Sequence, residues 1–252
     1  MMEMPEAFPI RCVVHLVRPT GTRVTTLEEL RLAILEASDA SLFYHCLQYQ
    51  LRNPAGKELP PDDLSGWVGG VVQDRTTAER MSFATSSHNR HPGELRPALV
   101  SVLEDVPLSQ RTNRMSDAEG AFVFLEVQPV TLPTTISVMD DEQTVEALTQ
   151  GDVSAWFYHV IEQPWFATDR PTLHEWLERH GEERLASWLK ELADADLPID
   201  AARERLLRRW RNSHLGRRLG AAAEMPDEMR REAGREVVGR LVRRMRKLEA
   251  GG

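Results

Sequence analysis

The groups best suited to chemistry occur twice in the same order. Phe43-Tyr44-His45 recurs as Phe157-Tyr158-His159. The chain holds three Tyr and eight His, and about 0.003 copies of that tripeptide are expected by chance. A histidine titrates near neutral pH and can serve as acid or base. Two Tyr-His pairs near a pseudo-twofold would form a ligand pocket or an acid–base site. Trp67 and Trp176, at matched positions downstream, complete the candidate set Tyr44, His45, Tyr158, His159, Trp67 and Trp176. The competing expectation is architectural. A helix over Ser41–Leu51 is apolar nearly all round, with Phe43, Cys46 and Leu47 on one face, and Trp156, Val160 and Ile161 repeat this later. Such a helix is buried, and a buried Tyr or His is hydrogen-bonded and locks its neighbours together.

Other constellations are weaker. Cys12 and His15, three apart on a strand, face opposite sides and make poor joint ligands. Cys46 matches Val160 and reads as a small apolar core residue. His88 and His91 lie in a polar stretch without further ligands, and His174 and His180 lie on different faces of a helix. There is no phosphate-binding Gly-rich loop and no Gly-x-Ser-x-Gly elbow. No metal and no cofactor is expected. Trp156, Trp165, Trp176, Trp188 and Trp210 read as core.

The elements that must position these groups also come in two sets. The β-branched and aromatic runs Ile10–Arg18 and Ala121–Gln128 are each followed by a proline and predict short strands. Thr26-Leu27-Glu28-Glu29-Leu30 matches Thr144-Val145-Glu146-Ala147-Leu148, with a capping box at Thr25 or Thr26. Asp39 or Ser41 and Asp152 start the next helix; one extra residue separates Asp152 from its Phe-Tyr-His. Asp63 and Thr172 each stand four residues before a tryptophan as N-caps, and a further helix follows Pro92-Gly93 and Pro198-Ile199. Arg111–Gly120 reads as a loop. The fold expected is α+β and predominantly helical. Two tandem units, 8–115 and 120–213, each hold a short strand and about four helices. A basic amphipathic helix at 224–252 ends the chain.

Ser41, Tyr44, His45, Asp63 and Trp67, and again Ser154, Tyr158, His159 and Trp176, resemble an uncharacterised bacterial and archaeal domain-of-unknown-function family, numbered five-seven-five-two. Its members read Ser-x-x-Tyr-His followed by Asn-Asp-Phe-x-x-Trp. This chain departs with Asp62 for Asn, Leu64 for Phe, and Pro171-Thr172-Leu173 in the second copy. The resemblance implies a mostly helical fold over about 200 residues and carries no activity with it.

Composition narrows the rest. At 252 residues, with 41% hydrophobic and 28% charged residues, the chain can build a core without disulfides or metal, and two cysteines make no disulfide scaffold. No apolar run approaches a membrane span, and Met1–Glu6 has no leader-like pattern, so a cytoplasmic location is expected. Residues 201–252 carry 15 basic and 7 acidic residues, while the remainder carries 16 and 32. In the final helix the acidic residues come early and Arg240, Arg243, Arg244, Arg246 and Lys247 late, the order its dipole prefers. That helix is expected to pack on the acidic body, on a protein partner or on a second copy. Nucleic acid ranks below these because the acidic body repels phosphate, and its apolar stripe lacks the aromatics of a membrane helix. The leading functional expectation is a non-enzymatic binding, scaffold or accessory protein. The alternatives are a small-ligand sensor or enzyme with a Tyr/His pocket between the repeats, and a nucleic-acid-associated protein using the Arg-rich end.

Overall fold

A computed structural model describes residues 7–52, 62–86, 91–166, 170–195 and 197–223. The fold is α+β and mainly helical, around two antiparallel strands, β1 (Phe8–Val24) and β2 (Phe122–Val138). Between them run α1 (Leu27–Glu36), α2 (Asp39–Cys46), α3 (Tyr49–Arg52), α4 (Asp63–Gly70), α5 (Arg75–Ser86), α6 (Pro92–Glu104) and α7 (Leu108–Asn113). After β2 come α8 (Asp141–Gln150), α9 (Val153–Trp156), a π-helical turn (Phe157–Glu162), α10 (Gln163–Trp165), α11 (Leu173–Arg179), α12 (Glu183–Asp194) and α13 (Ile199–Ala223). The chain divides into two compact units, residues 1–206 and 207–252. The architecture and site described below belong to the first. The basic segment 224–252, with Arg240, Arg243, Arg244, Arg246 and Lys247, lies outside the described residues, as does His88.

The strands are 17 residues each, not short, and run through Pro19 and Pro129. Proline removes a ladder donor and is confined to edge strands and bulges. In a two-stranded ribbon both strands are edges, so Pro9, Pro19, Pro129 and Pro133 are all accommodated. The register reads alike from both ends. Phe8 faces Val138 and Val24 faces Phe122; the ladder slips between Pro9 and Arg11 and again between Pro19 and Arg23; His15 faces Pro129 midway. Ile10, Val13, Phe124 and Val127 are buried on the inner face, while Val14, Leu16, Val130 and Leu132 are exposed on the outer one.

The helices cross over. α2 lies against β2, whereas α9 and the π-helical turn lie against β1. Phe43 and Phe157, both fully buried, meet edge to face at 5.7 Å between them. Burying each ring contributes roughly 1.5–3 kcal/mol, so this contact ties the two sets of helices to one core.

Caps set the helix starts. Thr26 and Glu29 form the expected capping box of α1, and Thr172 and Glu175 that of α11. Asp152 caps α9 as expected, but two caps in the first half lie before the expected residues. Ser38, not Asp39 or Ser41, caps α2, and Asp62, not Asp63, caps α4. Because Ser38 corresponds to Asp152 as a cap, no extra residue separates Asp152 from its Phe-Tyr-His. Asp140 caps α8, which leaves Thr144 one turn inside the helix; the Thr26–Thr144 match is out by that turn. A one-turn slip preserves an apolar stripe, which is why the pattern misleads. The expected continuous helix Ser41–Leu51 is interrupted after Cys46, where Gln48 N–H donates to Phe43 O, five residues back. The second Tyr-His segment widens in the same way, with Gln163 N–H donating to Tyr158 O. Arg111–Asn113, read as loop, belongs to α7.

Candidate ligand site beside Tyr158

Each Tyr-His pair is positioned by the wide turn that carries it. His45 Nε2 accepts from Leu125 N–H of β2 at 2.9 Å, and His159 Nε2 accepts from Arg11 N–H of β1 at 2.9 Å. A ring nitrogen that accepts carries no proton, so in both rings the proton sits on Nδ1. His45 Nδ1 donates to Asp63 Oδ2 and His159 Nδ1 to Gln163 Oε1, each at 3.1 Å. All four ring nitrogens therefore have fixed partners. Both side chains are buried. Burial lowers the His159 pKa to about 4, the Gln163 hydrogen bond opposing and Arg11 reinforcing the shift.

The six candidate aromatic residues gather as two clusters, not around one cavity. In the first, His45 packs on Phe122 at 4.8 Å and Trp67 packs on the same ring at 5.8 Å, with Trp67 Nε1 donating to Gly120 O. Arg52 stands 5.2 Å over the Tyr44 ring and pairs with Asp63 at 3.0 Å. Burial alone would raise the Asp63 pKa, but the His45 hydrogen bond and the Arg52 charge hold it below the usual carboxylate value. Asp62 is the buried cap, bonded to Ser65 and Thr85, and burial pushes its carboxyl up. In the family pattern the Asn position is thus the cap and the Asp position the histidine's anchor. Cys46 is buried among these groups and its thiol is pushed well up by burial, with Asp62 and Asp63 adding to it.

The second cluster is open. Phe8 packs on His159 at 5.3 Å and on Trp176 at 5.6 Å, as Phe122 does in the first. Here, however, a cavity of about 290 Å³ lies beside Tyr158, His159 and Trp176, lined also by Arg11, Arg170, Arg179 and His180. That is near the lower end of small-ligand pockets. His180 stacks on Trp176 at 4.3 Å and its Nδ1 donates to Trp176 O. Burial raises the Tyr158 pKa, the Glu162 charge adds to this, and Arg11 and Arg170 oppose it, so the hydroxyl is a neutral donor at pH 7. Three guanidinium groups around an aromatic floor suit an anion carrying a flat or apolar group.

A second cavity, about 320 Å³, shares Tyr158, Gln163 and Arg170 with the first and adds Pro129, Thr131, Glu162 and Phe166. Glu162 is 1% exposed; its Oε2 meets His15 Nε2 at 2.9 Å and its Oε1 has no partner. Sequence reasoning missed Glu162 and weighed His15 only as a poor joint ligand with Cys12. The available signal was an acidic side chain inside a helix otherwise apolar all round. Arg11, Arg170 and Arg179 were hidden by the abundance of arginine, since only three of 31 basic residues are lysines. His91 serves as the cap of α6, and among the described residues no group of three or more His, Cys, Asp or Glu could hold a metal. Among them, too, no helix is long and apolar enough to cross a membrane.

Crossed helices on a two-stranded ribbon, with an ion pair in one aromatic cluster and an arginine-lined cavity beside the other, define an α+β protein. By sequence the chain belongs to DUF5752, a family of unknown function, whose model matches residues 5–210. No curated protein matches it. The fold is similar to that of OrfY from Thermoproteus tenax, with a TM-score of 0.65 and 19% identity over 81% of this chain and 95% of that one.

Proposed function

We propose that this protein is a non-enzymatic binding protein and that the cavity beside Tyr158 takes a small anionic ligand. The observation that carries this reading is the commitment of His45 and His159: every ring nitrogen is held by a backbone or side-chain partner. A general base needs a nitrogen within reach of the substrate's proton. These rings act as fasteners, while Arg11, Arg170 and Arg179 line the cavity and supply its positive charge. The test is isothermal titration with phosphate and carboxylate compounds, with Arg179→Ala as the comparison. Binding that weakens about tenfold in the variant supports the reading. Turnover of a bound compound that is lost in His159→Gln, with folding intact, would favour the enzyme alternative.

The same reading takes the chain as two tandem units, 8–115 and 120–213, in a cytoplasmic protein. Three correspondences support the duplication: the two-ended register of the ribbon, the exchange of histidine bonds between halves, and the matched caps. A protein partner or self-association belongs to the same reading, supported by the exposed Val14, Leu16, Val130 and Leu132. Light scattering on a Leu16→Asp variant tests it.

A further inference from the structure

We infer that the ligand bound beside Tyr158 also carries a protonated amine, and that Glu162 Oε1 receives it. This rests on the proposed anionic pocket and adds its second charge. Four observations bear on it. Glu162 is almost wholly buried, yet one carboxyl oxygen has no partner. Leaving such an oxygen unpaired costs its full desolvation penalty, so a donor belongs there. Glu162 is among the residues lining the second cavity, which shares Tyr158, Gln163 and Arg170 with the first. Gln48, three residues after His45 as Glu162 is after His159, also leaves its Oε1 unpaired. It is uncharged and lines neither of these cavities.

The two cavities thus differ in charge. One has Arg11 and Arg179 beside Arg170, and the other has Glu162, whose Oε2 meets His15 Nε2 at 2.9 Å. An ammonium group supplies several donors and a compensating charge to a buried carboxylate, which a hydroxyl does not. The chemistry selected is a small zwitterion, its acid group on the arginines and its amine on Glu162. His159 and Glu162 both lie on the π-helical turn Phe157–Glu162, in keeping with the occurrence of such turns at functional sites.

The experiment titrates the full chain with two matched pairs: L-phenylalanine against 3-phenylpropanoate, and O-phosphoethanolamine against ethyl phosphate. Each pair differs by the amine alone, and the pairs separate a carboxylate from a phosphate as the acid group. The expected result is that, in at least one pair, the amine-bearing member binds about tenfold more tightly. In Glu162→Gln that ratio should fall to near one, with the amine-free member unaffected. Equal binding within each pair overturns the amine assignment while leaving the anionic pocket standing. So does a ratio that survives in Glu162→Gln. If none of the four compounds binds, the pocket reading fails and this inference with it. The wild-type ratio stands as a test even if the variant does not fold.

Discussion

His45 and His159 do at residue scale what a ladder partner would do in a wider sheet: each takes an outward N–H of the ribbon. Removing the ring leaves that N–H without its acceptor, and an unpaired buried donor costs about 1–3 kcal/mol. His45→Ala and His159→Ala should each lower urea-unfolding stability by at least that much. A loss below about 0.5 kcal/mol in both would contradict the fastening role. The pH dependence follows from His159. Its pKa is 6.5 in the unfolded chain and about 4 in the folded one, so the native ring stays neutral. Below pH 6.5 the unfolded chain takes up a proton that the native state refuses until about pH 4. Stability is therefore complete above pH 6.5 and declines toward pH 4, by about 3 kcal/mol from this group. The half-buried His174, whose pKa is lowered chiefly by desolvation and also by Lys190, acts in the same direction. Urea midpoints measured from pH 7.5 to 4 should fall steeply in the native sequence and less so in His159→Gln; parallel curves would refute the assignment.

At element scale, one arginine closes the end of a helix in each half. Arg96 Nη1 donates to Ile34 O and Ala37 O at 2.6 and 2.7 Å, covering the last carbonyls of α1. Arg203 donates to Leu148 O, Thr149 O and Gly151 O at 3.0, 2.8 and 2.5 Å, covering those of α8. Charged donors on otherwise orphaned helix carbonyls are worth about 1.5–3 kcal/mol each. Arg96→Met and Arg203→Met should each cost that amount in thermal or urea unfolding. Arg75→Ala, which removes an exposed i,i+4 pair with Glu79, should cost under about 0.5 kcal/mol. Equal effects at all three positions would remove the distinction. Much of this level was legible in the chain. The Thr26–Glu29 and Thr172–Glu175 boxes and the buried Phe-Tyr-His helices follow from local chemistry, while α6 begins at Pro92, two residues before the expected start. What could not be read is which strand each helix would meet, because the apolar face of α2 suits β1 and β2 equally. The strand ends failed for a related reason. A proline stops a strand only when its N–H is needed, and whether it is needed depends on a neighbour the local sequence does not name.

At the scale of the whole molecule, each half completes the other. Phe8 of β1 is held by His159 and Trp176, and Phe122 of β2 by His45 and Trp67. Each strand is covered more by the other half's helices than by its own, so residues 7–118 and 119–213 expressed separately should lack cooperative unfolding, and mixing them should restore it. Independent cooperative melting of residues 7–118 would disprove the interdependence. The open pocket lies in one of two otherwise matched clusters. Asp63 and Arg52 occupy the first; in the second, Gln163 meets the histidine and the arginines face the cavity. The crossing also bears on synthesis. His15 leaves the ribosome 114 residues before Pro129, its partner in the ladder. At about 5–20 residues per second that interval lasts roughly 6–20 seconds. Throughout it, β1 has neither its partner strand nor the helices that cover its inner face. A nascent chain of this protein should therefore be held by holdase chaperones during its growth, and stalled chains ending before Val138 should be cut by protease where the finished protein is not.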